Sequence, residues 1–422
     1  MFSIAILRTG TGLILLYDWI QRLLYFNELY SKSSPFNSTF IKNSGYLESG
    51  KWSLFFTSPS DAFSLLLFAI GISSSLFIVF GKFIKIGLLA NWILQVSIQN
   101  KNPFVLHSGD KLLLLIIGIL FFSDLNFNRQ ATEKKTNASF FSGLSLLFLF
   151  VSLNLVSGIN KISKEWLQDA SAVFFAFSNE NYSRLSNSSF LELAPLMKLA
   201  SVCVVLIEIV CPLLLLTAIK NEKLKVIALI PLFILQFLLI VCFEISWFNL
   251  LLMVVMVSIY FMPVNVLFQN FKLTELLKFE KGKVLVNTKK YFAAFLFLSL
   301  LINSIFAVNF FPYKKSSVWT WVSSIFHLDV NWNLFSPSVY KESVFLLEEG
   351  SNLKKQGMKS ITYNLSNHRM VKLRENIFLL KDTELNHKIK LSLGPEKKFL
   401  LSIKKPKKAF SNKYLVYTLE LN

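Results

Sequence analysis

The sequence predicts an all-α polytopic membrane helix bundle of about eight to nine spans, followed by a small β-rich C-terminal extramembrane domain. Three observations carry this. Of the 422 residues, 53% are hydrophobic and only 16% are charged, a mix far from that of a soluble domain. Apolar runs of membrane length recur through residues 1–312, and each can cross a hydrocarbon core of roughly 30 Å as a helix with its backbone satisfied internally. From about Tyr313 onward those runs stop, charges become frequent and short alternating stretches take over.

The candidate spans are Ile4 to Leu24, Ala62 to Phe80, Ile84 to Ile98, Leu112 to Leu125, Phe140 to Ser157, Met197 to Ile219, Val226 to Phe243, Trp247 to Val264 and Phe292 to Phe311. Ile84 to Ile98 and Leu112 to Leu125 are the shortest of them. The first run resembles a signal peptide in length, but Arg8 and Asp18 interrupt it and no small-residue cleavage site follows, so it reads as a retained span. After residue 312, SVFLLEEG, SITYNLSN, MVKLRENIFLL, KIKLSL and KYLVYTLELN alternate as strands do, which divides the chain into a bundle over 1–312 and a β-rich domain over 313–422.

Lysines and arginines in short loops resist translocation and so set orientation. Lys82 and Lys85, Arg129 to Lys135, Lys220 to Lys225 and Lys272 to Lys290 fall on one side if all the spans are real. That side is expected to be the cytoplasm, with the N-terminus on it and the C-terminal domain extracytoplasmic, as in a bacterial-type inner or plasma membrane. The net charge of +19 is spread over membrane-flanking loops and the tail, which fits anionic lipid headgroups and gives no nucleic-acid-binding module. Cys203, Cys211 and Cys242 all lie within spans, so neither a disulfide framework nor a cysteine-based metal site is indicated.

Ionisable groups inside the spans are the candidate functional residues, since a charge near the bilayer centre costs about 2.5 to 3.5 kcal/mol on insertion scales. Glu208 sits mid-span with Pro212 one turn on; a protonated carboxyl bonded to a neighbouring helix and a direct functional role both account for it. Arg8 and Asp18 read as packing partners of other helices. Lys161 ends an apolar run, one turn after Gly158 and four residues before Glu165. Either it snorkels to the interface with Glu165 as partner and Trp166 as anchor, or it is a desolvated amine fit to act as a general base. In the hairpin QNKNPFVLHSGDKLLLL, Asp110 is placed to cap the following helix, and His107 titrates near neutral pH if it is solvated. Downstream, Trp332, Phe335 and Pro337 of VNWNLFSPS read as a surface anchor leading into the outer domain.

Taken together, these pieces resemble the HTTM family, the membrane domain shared with the vitamin K-dependent gamma-glutamyl carboxylases. The likeness rests on ILRTGTGLILLYD, with Arg8, Gly12 and Asp18, and on NKNPFVLHSGD, GINKISKEW, EIVCP, FILQFLLIVCFEISWFNLLLM and NWNLFSP, in family order over about residues 1 to 340. The resemblance implies a quinone-linked carboxylase or epoxidase. Lys161 would deprotonate a reduced quinone, Glu208, Asp110 and His107 would share the site, and Trp166 and Arg8 would hold the quinone. Oxygenation of that quinone yields a base strong enough to take a proton from a peptidyl glutamate, to which carbon dioxide then adds. Such chemistry needs a dry, preorganised site. Three positions depart from the family pattern: Asn160 stands where a second lysine is usual, Gln236 where a histidine is frequent, and His107 where an aspartate is usual. The outer region is also far shorter than in the animal carboxylases. The alternative is a noncatalytic membrane scaffold or lipid-binding protein. Membrane lipids are partners on either reading; a quinone and a protein or peptide substrate belong to the first, and neither needs a metal.

Overall fold

A computed structural model describes residues 2–34, 36–43, 51–123, 137–186, 189–218, 221–244, 247–262, 302, 339, 343–348, 399–406, 409 and 414–420. The helices are α1 (Phe2–Leu24), α2 (Phe26–Leu29), α3 (Ser38–Asn43), α4 (Asp61–Phe80), α5 (Ile84–Lys101), α6 (Ser108–Phe122), α7 (Asn137–Asn160), α8 (Ala172–Ser178), α9 (Ala194–Thr217), α10 (Glu222–Cys242) and α11 (Phe248–Tyr260). Five of them, α1, α4, α7, α9 and α10, are long and apolar enough to cross a membrane. The protein is an integral membrane protein.

The expected spans around α5, α6 and α11 have a different character. α6 has 15 residues, about 22 Å of helix and short of a bilayer core. It is nonetheless buried along most of its length, so its apolar residues meet other helices. α5 ends in the polar run Gln99 to Lys101, entirely buried. Apart from residue 302, the expected span Phe292 to Phe311 lies outside the described residues, as do the exit VNWNLFSPS and the domain boundary at 312/313.

Burial separates the centre of the bundle from its rim. The apolar stretch Ser142–Asn160 of α7 is 72% buried, against 33% for α9 and for α10, whose remaining faces are left to lipid. α7 packs on α9, α9 on α10, α10 on α11, and α11 on α1, while α1 packs on α4, α4 on α5 and α5 on α6. Small residues bring the neighbours close. A methyl group at Gly71 of α4 would lie 2.5 Å from the Trp19 ring of α1, and one at Gly87 of α5 would lie 2.8 Å from the Ser74 carbonyl of α4. Trp19 Nε1 in turn donates to Asn91 Oδ1 at 2.9 Å, fastening α1 to α5.

Helix ends are closed by side chains from neighbours. Arg8 donates from Nη1 to the Ile78 carbonyl at 2.9 Å, beside Gly81, whose φ of 74° terminates α4. Lys85 Nζ reaches the last carbonyls of α6, donating to Phe121 and, at 2.7 Å, to Ser123. Beyond the other end of α1, Phe36, Phe40, Phe55, Phe68 and Phe104 gather with Tyr30 into an aromatic cap over α1, α4 and α5.

Three strands are described after residue 312: β1 (Ser343–Glu348), β2 (Phe399–Pro406) and β3 (Tyr414–Glu420), paired antiparallel in the order β1-β2-β3. β1 falls within SVFLLEEG and β3 within KYLVYTLELN. The stretches SITYNLSN, MVKLRENIFLL and KIKLSL lie outside the described residues.

Candidate functional site

Lys161 follows the last turn of α7, where Gly158 makes its position possible. A Cβ at Gly158 would stand 2.8 Å from Ile209 Cγ1 and 3.0 Å from Glu208 Cβ, so only glycine lets α7 and α9 approach this closely. Lys161 Nζ then lies 2.7 Å from Glu208 Oε2 and 2.5 Å from Ser157 Oγ, with the Trp166 ring centroid 5.4 Å away. Lys161 is 2% exposed and Glu208 7%. The carboxylate, the hydroxyl and the ring face take up the three N–H bonds of an ammonium.

Glu165 is therefore not the partner of Lys161, nor is Trp166 an anchor at the membrane surface. The chain does not leave the bundle after α7. It makes a π-helical turn over Lys164–Gln168, reverses at Ala170 with a φ of 49°, and enters α8, with 170–179 wholly buried. Within that turn Trp166 points inward, 3% exposed, while the neighbouring Glu165 accepts a hydrogen bond at 3.1 Å from the backbone N–H of Val339. Val339 is itself buried among α8 and α9 residues. One short turn thus touches both the intramembrane ion pair and a residue from the last quarter of the chain.

Asp110 and His107 belong to a second cluster, built around Arg22 near the end of α1. Arg22 Nε donates to both Asp18 oxygens at 3.0 Å, Nη1 to the Tyr30 hydroxyl at 2.8 Å and Nη2 to Asp110 Oδ1 at 2.7 Å. Gln95 Nε2 adds a bond to Asp18 Oδ2 at 2.8 Å. Asp110 caps α6 as its spacing predicts, its Oδ2 accepting from the His107 backbone N–H at 3.0 Å. The His107 ring stands edge-on to Trp247, 4.5 Å between centroids. The side chains of Asp18, Arg22 and Asp110 are all 0% exposed, so α1, α5 and α6 are joined through groups withdrawn from solvent.

Arg8 is distant from this cluster, fourteen residues and about 21 Å along α1 from Arg22. The sequence-predicted residues thus fall into three places: Lys161, Glu208 and Trp166 together, Asp110 and His107 around Arg22, and Arg8 at the end of α4. Arg22 was missed by sequence reasoning, although its spacing of four from Asp18 on one helix was a usable signal.

Beyond the apolar part of α5, Lys101 donates to Ser38 Oγ at 2.9 Å. Burial lowers its pKa to about 8; Asp61 raises it and Lys42 lowers it further. The folded state therefore holds the Lys101 proton less tightly than the unfolded chain. Stability is reduced in full below pH 8 and recovers as pH rises from about 8 toward 10.5, by up to about 3 kcal/mol. Lys101→Met is expected to raise the melting temperature at pH 7, and its advantage over the wild type should shrink steadily by pH 10 in a thermal-unfolding series.

The family model described as the lipase maturation factor transmembrane domain matches residues 9–262. No curated protein and no solved structure gives a match. The matched segment contains both clusters and all of α4 to α11, so the family covers the bundle and stops before the strands. The chain belongs to the lipase maturation factor transmembrane domain family, a membrane-domain family related to HTTM-like domains.

Proposed function

We propose that this member of the lipase maturation factor transmembrane domain family is a noncatalytic membrane scaffold that assists the maturation of an exported protein, a lipase by the family's name. The observation that carries this is the state of the buried charges. Lys161 is closed in by Ser157, Glu208 and Trp166, and Arg22 by two aspartates and a tyrosine. Groups tied up in this way fasten helices to one another. In this reading the residues after 312 are the β-rich extracytoplasmic domain that meets the client, and the bundle holds it at the membrane.

The test is a host lacking this chain that exports a lipase. Supplying the full chain should raise lipase activity per exported lipase molecule severalfold, and a folded Lys161→Met/Glu208→Leu double variant should do so equally well. Unchanged specific activity with the full chain would overturn the proposal.

A second reading keeps the resemblance to the carboxylases, with Lys161 as base, Glu208, Asp110 and His107 assisting, Trp166 and Arg8 holding a reduced quinone, and a peptidyl glutamate as substrate. Its support is the shelter of the Lys161 nitrogen, 2% exposed within the bundle. The residues present do not fit the quinone: its hydroxyl would need the directions on Nζ that Ser157 and Glu208 occupy, and Arg8 is engaged at the α4 terminus. Purified chain given reduced quinone, oxygen and labelled bicarbonate is expected to form neither epoxide nor labelled peptide. Turnover abolished by Lys161→Ala would promote this reading over the first.

A further inference from the structure

A lateral groove of about 350 Å³ runs between α10 and α11. Its walls are Val226, Ile230 and Ile234 on one helix and Met256 and Tyr260 on the other, so it is apolar throughout apart from the tyrosine hydroxyl. From Val226 to Ile234 it extends about 12 Å along α10. Ile230 and Ile234 are each 51% exposed and Tyr260 46%, so the groove opens sideways from the bundle onto the face of a membrane-crossing helix. A membrane-crossing helix faces hydrocarbon, so an acyl chain is the ligand chemistry that an apolar groove on that face would take.

One end of the groove is charged. Lys225 Nζ lies 5.8 Å from the centroid of the Tyr260 ring, buried to 3% exposure, and donates to the Met262 carbonyl at 3.3 Å. Its carboxylate partner is Glu222 at 2.6 Å, whose side chain is 62% exposed. Lys223 is exposed one residue on from Glu222, and Asn221 Oδ1 caps the helix by accepting from the Lys223 and Leu224 amides at 3.0 and 3.3 Å. The groove mouth therefore carries two lysines against one solvent-exposed carboxylate, at the positive end of the α10 dipole. A phosphate at that mouth would replace Glu222 as the counter-ion of Lys225 while the attached chain lies along Ile230 and Ile234.

We infer that the α10/α11 groove is a binding site for an anionic glycerophospholipid, one acyl chain in the groove and its phosphate against Lys223 and Lys225. The inference stands independently of the maturation reading, since it concerns only the lipid that the bundle retains.

The experiment is native mass spectrometry of the full chain released from detergent containing equal dioleoylphosphatidylglycerol and dioleoylphosphatidylcholine. One phosphatidylglycerol molecule should be retained in preference to phosphatidylcholine. Lys223→Gln should lower the preference about fivefold, and Glu222→Gln, which removes the competing carboxylate, should raise it. Ile230→Trp, at a half-exposed position that fills the groove without touching the lysines, should abolish retention of the bound lipid. Equal retention of both lipids overturns the headgroup assignment. Unchanged retention in Ile230→Trp overturns the groove itself.

Discussion

Replacing Arg22 with methionine is expected to cost about 3 to 5 kcal/mol of stability. The reason is what is left behind. Asp18 and Asp110 each lose a guanidinium bond of 3.0 Å or less while remaining 0% exposed, and two like charges then face each other without their shared cation. Tyr30 loses its acceptor role as well. Methionine fills most of the volume, so the loss reports the charges rather than a cavity. The diagnostic is the triple variant Asp18→Asn, Arg22→Met, Asp110→Asn. With every charge gone it should recover most of the loss, short of roughly 1 kcal/mol for the weakened cap of α6. Thermal unfolding in detergent reads all of these; a single variant within 1 kcal/mol of wild type would mean that the Arg22 cluster is not what holds α1, α5 and α6 together.

The pair between α7 and α9 gives the second large effect. Lys161→Met and Glu208→Leu, made singly, should each cost about 3 to 5 kcal/mol because each strands a buried charge. Made together they should come close to wild-type stability. The coupling energy decides between two pictures. An ordinary interhelical hydrogen bond in a membrane protein couples by about 0.6 kcal/mol on average, whereas a desolvated ion pair with a 2.7 Å contact and the losses above should couple by about 6 to 10 kcal/mol. A coupling below 1 kcal/mol would show that water or lipid headgroups reach the pair and compensate each charge separately.

Most of the bundle could be read from the chain because period and length are local properties. The runs around α1, α4, α7, α9 and α10 are long and predominantly apolar, and a helix of that kind has few alternatives in hydrocarbon. Asp110 was legible as a cap because capping depends on three residues of one turn. The partner of Lys161 was not. Glu165 is the nearer acid in sequence, but the π-helical turn over Lys164–Gln168 breaks the spacing that would have placed it on the lysine's face, and Glu208 arrives from another helix through the gap at Gly158. α8 was illegible for a related reason: AVFFAFS is too short to declare itself a span and is buried by distant parts of the chain, α9 and Phe243 among them. β2 was passed over because FLLSIKKP carries its apolar residues in a run rather than in alternation.

The two ion clusters also differ in when, during synthesis, their charges can cancel. Asp18 and Arg22 are four residues apart on α1, so that pair can enter the translocon with its two charges already cancelled, Asp110 joining them later. Lys161 and Glu208 are separated by 47 residues and emerge on different helices. α7 must therefore wait, its amine uncompensated, until most of α9 has left the ribosome, and this stretch of the chain is where a membrane insertase or chaperone has the most to do.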